Sequence, residues 1–348
     1  MSTKIGINGF GRTGRQIFRV IAERQAGNLE VVAINDLTDA ATNAHLLKYD
    51  SSYGHFPGQV TAVGDAMIVN GKRVRVLAER EPANIPWHDL GVELVIESTG
   101  KFTDVDRAGD HLRGGARRVI ISAPAKHGGL TVVMGVNESD YNPTRHRVIS
   151  NASCTTNGLA PVAKVLNDTW GIEKGLLTTV HAYTNTQRLL DQEAKDLRDA
   201  RAAALNIIPS STGAAKAVGL VIPELQGRFG GMAFRVPTPT VSVVDFTALL
   251  AVDVTLRDLN AAFADAAAGP LKGILAYTDE PLVSMDLKGD PHSSIVSGLD
   301  TQVVGGNLVK IIAWYDNEYG YACRVGDLAA YIIHRDALNA HQDDEAQG

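Results

Sequence analysis

The segment that most restricts what this chain can become is its opening. KIGIN, a short apolar run, passes directly into GFGRTGR, which carries Gly9, Gly11 and Gly14 in the spacing G-x-G-x-x-G. A strand that ends on this spacing and continues as a helix needs glycine for the tight turn, for close approach of backbone to a pyrophosphate, and for helix-on-strand packing. The helix N-terminus then faces the phosphates. A second run, EVVAIND, ends on Asp36, roughly 20 residues on, where a carboxylate bonds ribose hydroxyls and repels a 2′-phosphate. Such a carboxylate also serves as an ordinary turn cap. Its place in the βαβ unit favours the ribose role, and NAD over NADP.

The alternation of β-branched runs with helical patterns continues through ELVIES, RVIISA and TVVMGV, and predicts parallel βαβ units in a Rossmann doubly wound sheet. Beyond Cys154 the strand-like runs lengthen: LLTTVHAYT, MAFRVPT, TVSVVDFTALLAVDV and NLVKIIAWYD, with the helical TLRDLNAAFADAAAG among them. This predicts an α+β domain with a large, mostly antiparallel sheet. A chain of 348 residues exceeds what one core fills, so two domains are expected. The polar stretch from Asp191 to Pro209 reads as a long excursion between strands, and such loops are usually functional.

A formal charge of -6 gathers neither nucleic acid nor an anionic membrane surface. No apolar run approaches the roughly 20 residues that span a bilayer, and MSTKIGINGF lacks the regions of a signal peptide. Two cysteines, Cys154 and Cys323, are too few for a disulfide scaffold, so a cytoplasmic protein is expected. No metal cluster is expected.

Cys154 lies in ISNASCTTNGLAP, after a strand-like run and before helical apolar spacing. A lone cysteine is more often a small buried hydrophobe. One at a helix N-terminus feels the positive end of the macrodipole, which lowers its pKa. His181, in the next strand-like run, is the usual kind of base for such a thiol.

From Lys4 to about Tyr331 the chain resembles the phosphorylating glyceraldehyde-3-phosphate dehydrogenases. The resemblance is carried by NGFGRTGR, ANIPW, STGKF, SAPAK, SNASCTTN, HAYTNTQR, RAAALNIIPSSTGAAKAVG, RVPTPTVSVVD and WYDNEYGY. It implies an NAD-binding domain over 1–152, a catalytic domain over 153–316, a helix over 317–336 returning to the first domain, a polar tail over 337–348, and a homotetramer. It implies that Cys154 attacks the aldehyde and that His181 takes the thiol proton and steadies the oxyanion. Hydride then passes to NAD, and inorganic phosphate cleaves the thioester. By the same resemblance Arg12 and Thr13 meet the pyrophosphate. Asp36 meets the ribose, Arg80 and Ser122 lie near the adenine half and nicotinamide, and Asn185 and Asn317 lie near the carboxamide. Thr184 and Arg235 hold the sugar phosphate, while Ser153, Thr155, Thr212 and Gly213 complete two anion pockets.

Some positions depart from the family pattern. DLRDARAAA places Asp199 where the family has an arginine at the inorganic phosphate pocket, and a carboxylate there repels phosphate; Arg198 or Arg201 would compensate if the loop shifts. Gly158 stands for a second cysteine, Gln192 and Glu193 alter a stretch near the adenosine of an adjacent subunit, and Tyr319 replaces a tryptophan. Two other readings stay open: an erythrose-4-phosphate dehydrogenase, to which Asp199 is easier to reconcile, and a cofactor-binding relative that uses Cys154 as an oxidisable redox sensor.

Overall fold

The structure, a computed structural model, describes residues 2–347, and the side chains of residues 2–340. It divides into two compact units. The first comprises residues up to Val132, Glu138–Ala152, and the chain from Ala322 onward; the second comprises Val133–Asn137 and Ser153–Tyr321.

In the first unit, strand β1 (Thr3–Asn8), helix α1 (Arg12–Arg24) and strand β2 (Leu29–Asn35) follow from the opening motif, and β1 and β2 pair in parallel. They sit in a sheet that is nine-stranded among the described residues. Leu94–Glu97 lies against the other side of β1, with Arg118–Ile121 and Val148–Ser150 beyond it, all parallel. Asn8 faces Asn35 on one neighbour and Glu97 on the other, so the carboxyl ends of three central strands stand side by side. The strand order switches direction at β1, and ligands of such sheets bind at the carboxyl ends beside that switch. The core below is built on Trp87, fully buried among Ile85, Val92 and Val95. Gly6 makes room for it, since a Cβ there would lie 2.5 Å from the indole.

Two features differ from the expected strand pattern. The edge beyond β2 is an antiparallel meander of Val60–Val63, Ala66–Val69 and Lys72–Leu77, whose strands are too short to stand out in the sequence. The TVVMGV run contributes only Thr131 to a strand, within Leu130–Thr131; Asn137 Oδ1 then accepts from Val133 N, and Gly135 takes a φ of 82°.

The terminal helix, Tyr319–Gln347, is held to the first unit by Asp336, which accepts from Arg118 and from the Tyr141 hydroxyl at 2.6 Å, and by Gln25 donating to Asp327. It runs past the expected end at 336 because Ala, Leu, Gln and Glu in the supposed tail are good helix formers. Residue 348 of that stretch lies outside the described residues. Cys323, fully buried on this helix, is a core filler.

In the second unit, the central strands Ile172–Ala182, Ser242–Leu250 and Leu308–Tyr315 pair antiparallel, and Phe229–Val236 pairs parallel to the first of them. Period-two burial along Ser242–Leu250 puts one sheet face inside. Against that face packs the helix Cys154–Trp170, whose residues from Thr155 to Ala163 are all buried. Between Ala182 and Ile208 the chain makes the long excursion expected from its composition.

Candidate active site

In the first unit, a cleft of about 480 Å³ opens at the carboxyl ends of β1 and β2. Gly9 adopts a φ of 89°, and a side chain there would collide with the backbone of Thr99. A Cβ on Gly14 would lie 2.1 Å from Gly9 O, so the helix start packs on the turn only because residue 14 is glycine. Gly11, by contrast, has nothing within 4 Å: its missing side chain leaves open space at the N-terminus of α1, where a pyrophosphate fits. Asp36 lines the cleft with its carboxylate held by Phe10 N at 2.8 Å and Thr38 N at 3.0 Å. Two backbone donors orient it toward one rim and leave its remaining lone pairs for a diol. The residues present therefore fit a dinucleotide.

Of the expected cofactor residues, Gly9, Gly11, Asp36 and Arg80 line this cleft, and Arg12, Thr13, Gly14 and Ser122 do not. Arg12 pairs with Asp50 at 2.7 Å and stacks over Tyr53. Burial opposes the charge on Asp50, yet the Tyr53 and Ser52 amides and Arg12 together hold its carboxyl below the usual range. Ser122 donates to Glu97 O.

Behind the cleft lies a buried polar network that sequence reasoning missed. Glu97 accepts from Thr99 N at 2.8 Å and from the Thr99 hydroxyl on one oxygen, and from Asn8 Nδ2 and His111 Nε2 on the other. The Trp87 indole donates to His111 Nδ1 at 3.0 Å, which places the imidazole proton on Nε2, facing Glu97. Asn35 donates to Asn8 Oδ1 and clasps Glu79 through both its backbone groups. Asparagines and a histidine inside apolar strands carry no motif of their own, so only the fold reveals them.

In the second unit, Ser153 is the N-cap of the helix that begins at Cys154, its hydroxyl accepting from Thr156 N at 3.0 Å. Just before it the chain turns through Ala152 at a φ of 57°, a left-handed conformation rare for a residue with a Cβ. Cys154 Sγ lies 3.4 Å from His181 Nε2. His181 is aligned with Arg235 by strand register, and the Arg235 guanidinium lies 2.5 Å from His181 Nδ1. Among the described residues no carboxylate pairs with Arg235. Tyr315, also missed, is buried behind the pair: its hydroxyl meets Thr155 Oγ1 at 2.9 Å and Thr179 Oγ1 at 2.8 Å, and its ring stands edge-on to His181. At Gly158 a Cβ would press on the Tyr315 ring at 3.2 Å.

The remaining expected residues, Thr184, Asn185, Thr212, Gly213 and Asn317, have other hydrogen-bond partners or are exposed. The Thr184 hydroxyl meets that of Thr186 at 3.0 Å, and Thr212 accepts from Ala214 N at 3.2 Å, with Gly213 exposed beside it as the N-cap of the helix Ala214–Val221. Asn185 is exposed, and Asn317 accepts from Ser242, whose hydroxyl also accepts from Ala182 N. Val241 precedes Ser242 at a φ of 66°, a strained conformation for a β-branched residue, worth of order 1–3 kcal/mol.

The expected lowering of the Cys154 pKa is not what this geometry gives. Burial pushes the thiol up, outweighing Arg235 and the Thr155 donors, while burial and then Arg235 push His181 down to about 3. Burial opposes a charge on either group, and the guanidinium that faces the imidazole adds to the penalty on His181.

A doubly wound sheet with an acid-tipped glycine turn, in one chain with a cysteine–histidine pair, defines an NAD-dependent oxidoreductase. Comparison with known proteins sets the family. The sequence profile of the glyceraldehyde 3-phosphate dehydrogenase NAD binding domain matches residues 3–105, and that of the C-terminal domain matches residues 153–317. Similar proteins include glyceraldehyde-3-phosphate dehydrogenase of Geobacillus stearothermophilus, 58% identical over 332 residues that cover 95% of this chain and 98% of the relative. Glyceraldehyde-3-phosphate dehydrogenase 1 of Bacillus cereus is 58% identical over 95% of this chain and 98% of its own length. Glyceraldehyde-3-phosphate dehydrogenase 1 of Streptomyces avermitilis is 56% identical over 95% of this chain and 99% of its own length. The chain belongs to the glyceraldehyde-3-phosphate dehydrogenase family, and NAD is its cofactor.

Proposed function

We propose that this enzyme oxidises glyceraldehyde 3-phosphate and captures the product as an acyl phosphate, with Cys154 as nucleophile. The contact that carries this reading is Cys154 Sγ at 3.4 Å from His181 Nε2, at the first residue of a helix. The thiolate sulfur attacks the aldehyde carbon, the carbonyl electron pair moves to oxygen, and His181 Nε2–H with the first-turn amides steadies that oxygen. The bound nicotinamide supplies the acceptor for the hydride that leaves the hemithioacetal. Inorganic phosphate then attacks the resulting thioester, and sulfur leaves with the bonding pair. Asp36 holds the ribose, Arg12, Thr13 and the glycine turn receive the pyrophosphate, and Arg80, Ser122, Asn185 and Asn317 serve the adenine and nicotinamide ends. Arg235, with no carboxylate partner among the described residues, and Thr184 hold the sugar phosphate, and Ser153, Thr155, Thr212 and Gly213 line the anion pockets.

The family relationship does not favour the erythrose 4-phosphate or redox-sensor readings. Exposed apolar side chains on the excursion, Leu189, Leu190, Leu197 and Leu205 among them, support a homotetramer. Among the described residues no helix is long and apolar enough to cross a membrane, and the free cysteines Cys154 and Cys323 agree with a cytoplasmic enzyme. With substrate and NAD present and phosphate withheld, mass spectrometry is expected to find one acyl group on Cys154. Full dehydrogenase activity in Cys154→Ser would overturn the reading.

A further inference from the structure

The buried network behind the cofactor cleft has a direction, and backbone groups at its two ends impose it. At one end Asn35 faces Glu79: its Oδ1 accepts from Glu79 N at 2.8 Å and its Nδ2 donates to Glu79 O at 2.9 Å, which fixes the orientation of the amide. The same Nδ2 donates to Asn8 Oδ1 at 2.7 Å, so the Asn8 Nδ2 is turned toward Glu97. At the other end Thr99 N donates to the second Glu97 oxygen at 2.8 Å, joined by the Thr99 hydroxyl. From the side, the Trp87 indole leaves the His111 proton on Nε2, 3.1 Å from Glu97 Oε2. Every donor therefore points at Glu97, and both of its oxygens must accept. Asn8, Asn35, Glu97 and His111 are all buried, so a donor left facing another donor there costs its full desolvation.

The two ends of the network are also two sides of the cleft. Leu94–Glu97, β1, β2 and Lys72–Leu77 are neighbours in that order, and the loops that follow the first and the last of them both contribute to the cleft lining. Glu79 belongs to one loop and Thr99 to the other. Thr99 also backs the glycine turn, since a Cβ on Gly9 would lie 2.6 Å from Thr99 N. We propose that Glu97 is a positioning residue for NAD: its carboxylate ties the two loops together, and the adenosine half of the cofactor is held at full affinity only while both ties are made. An amide cannot replace this carboxylate. In Glu97→Gln the new NH2 group faces either Thr99 N, a backbone donor that cannot rotate, or Asn8 Nδ2, which turns over only by breaking with Asn35. One loop comes free in either orientation. Moving the acceptor across the strand pair repairs the fault. With Asn8→Asp added, the carboxylate at position 8 accepts from Asn35 and from the new amide, whose oxygen then serves Thr99. His111 Nε2, 3.4 Å from the side-chain atom at position 8, finds an acceptor there as well. The proposal rests on the reading of this cleft as the adenosine site, and the experiment separates the two.

Calorimetry with NAD and with ADP-ribose, which lacks the nicotinamide, gives the dissociation constants, and steady-state NADH formation gives the kinetic split. Glu97→Gln is expected to raise both constants and the KM for NAD about tenfold, the worth of a lost hydrogen bond to a charged group. Its kcat at saturating NAD is expected to stay within about twofold of the wild type. Asn8→Asp alone, which sets two carboxylates face to face, weakens ADP-ribose as well, and the double variant is expected to recover to within about threefold of the wild type. A lowered thermal midpoint with unchanged constants makes the network purely structural and overturns the proposal. A double variant as weak as the sum of its singles overturns it too. Asp36→Ala lies outside the network: ADP-ribose binding that survives this change overturns the reading of the cleft instead. Where the variants do not fold, the unaltered enzyme decides. The amides of Glu79 and Thr99 are expected to show equal hydrogen-exchange protection and to be slowed by the same factor on binding ADP-ribose, and slowing of one alone overturns the tie.

Discussion

His181 keeps its imidazole neutral down to about pH 3 because burial and Arg235 both penalise its protonation. Its folded value lies below the ordinary value of 6.5, so the unfolded chain binds the extra proton. Its contribution to stability is full above pH 6.5 and is lost as pH falls toward about 3. Acid unfolding followed by circular dichroism is expected to be less steep across that window in His181→Asn than in the wild type; identical profiles would place the charge penalty elsewhere. Tyr315 acts on the same pair from behind. Removing its hydroxyl strands the buried Thr155 and Thr179 hydroxyls, a loss of about 1–3 kcal/mol each where no water replaces it. In Tyr315→Phe, kcat is expected to fall about tenfold while the KM for NAD stays put, since that cofactor's cleft lies in the other unit. A shift in the NAD KM with kcat intact would refute this assignment.

At the scale of elements, the carboxyl ends of the three central strands stand at the cofactor cleft. Thr99 is pinned by Glu97, Glu97 by Asn8 and His111, and His111 by Trp87. In Trp87→Phe the indole donor is lost together with part of the buried ring volume, so His111 is free to turn. The dissociation constant for NAD, read by calorimetry, is expected to rise about threefold to tenfold with kcat little changed, and an unchanged constant would make the network purely structural. The excursion between Ala182 and Ile208 carries the other prediction. Asp199 is half-buried at a shallow hollow with Lys195 and Arg198, and Arg201, one of the two arginines named to offset it, is tied to Asp191 at 2.9 Å. Reversing the charge near an anion is worth about 1 kcal/mol or more in a solvated pocket, so Asp199→Arg is expected to lower the phosphate KM about tenfold. A KM that rises or stays constant would remove Asp199 from phosphate recognition. The glycine turn, Asp36 and the helix start at Cys154 were legible in the sequence because each needs a particular residue type at a fixed spacing. The meander, Tyr315 and the Trp87 to Glu97 chain were not. Their residues look like ordinary edge or core positions until strands far apart in sequence bring them together.

At the scale of the molecule, the two-unit division was legible from the change in strand pattern near Cys154, and the terminal helix was not, because polar helix formers there imitate a tail. The solvent-facing leucines of the excursion, such as Leu197 and Leu205 at 82% and 79% exposure, are among the most exposed large apolar side chains of the described residues, a surface that contact between copies would cover. Light scattering is expected to give a tetramer for the wild type and smaller species for a Leu197→Asp, Leu205→Asp double variant; a monomeric wild type would contradict this. The most direct measurement of the central claim is steady-state NADH formation from glyceraldehyde 3-phosphate with inorganic phosphate titrated from zero. The account expects one enzyme-equivalent of NADH without phosphate, as the thioester accumulates on Cys154, and sustained turnover that saturates as phosphate is added. Equal sustained rates with and without phosphate would contradict it.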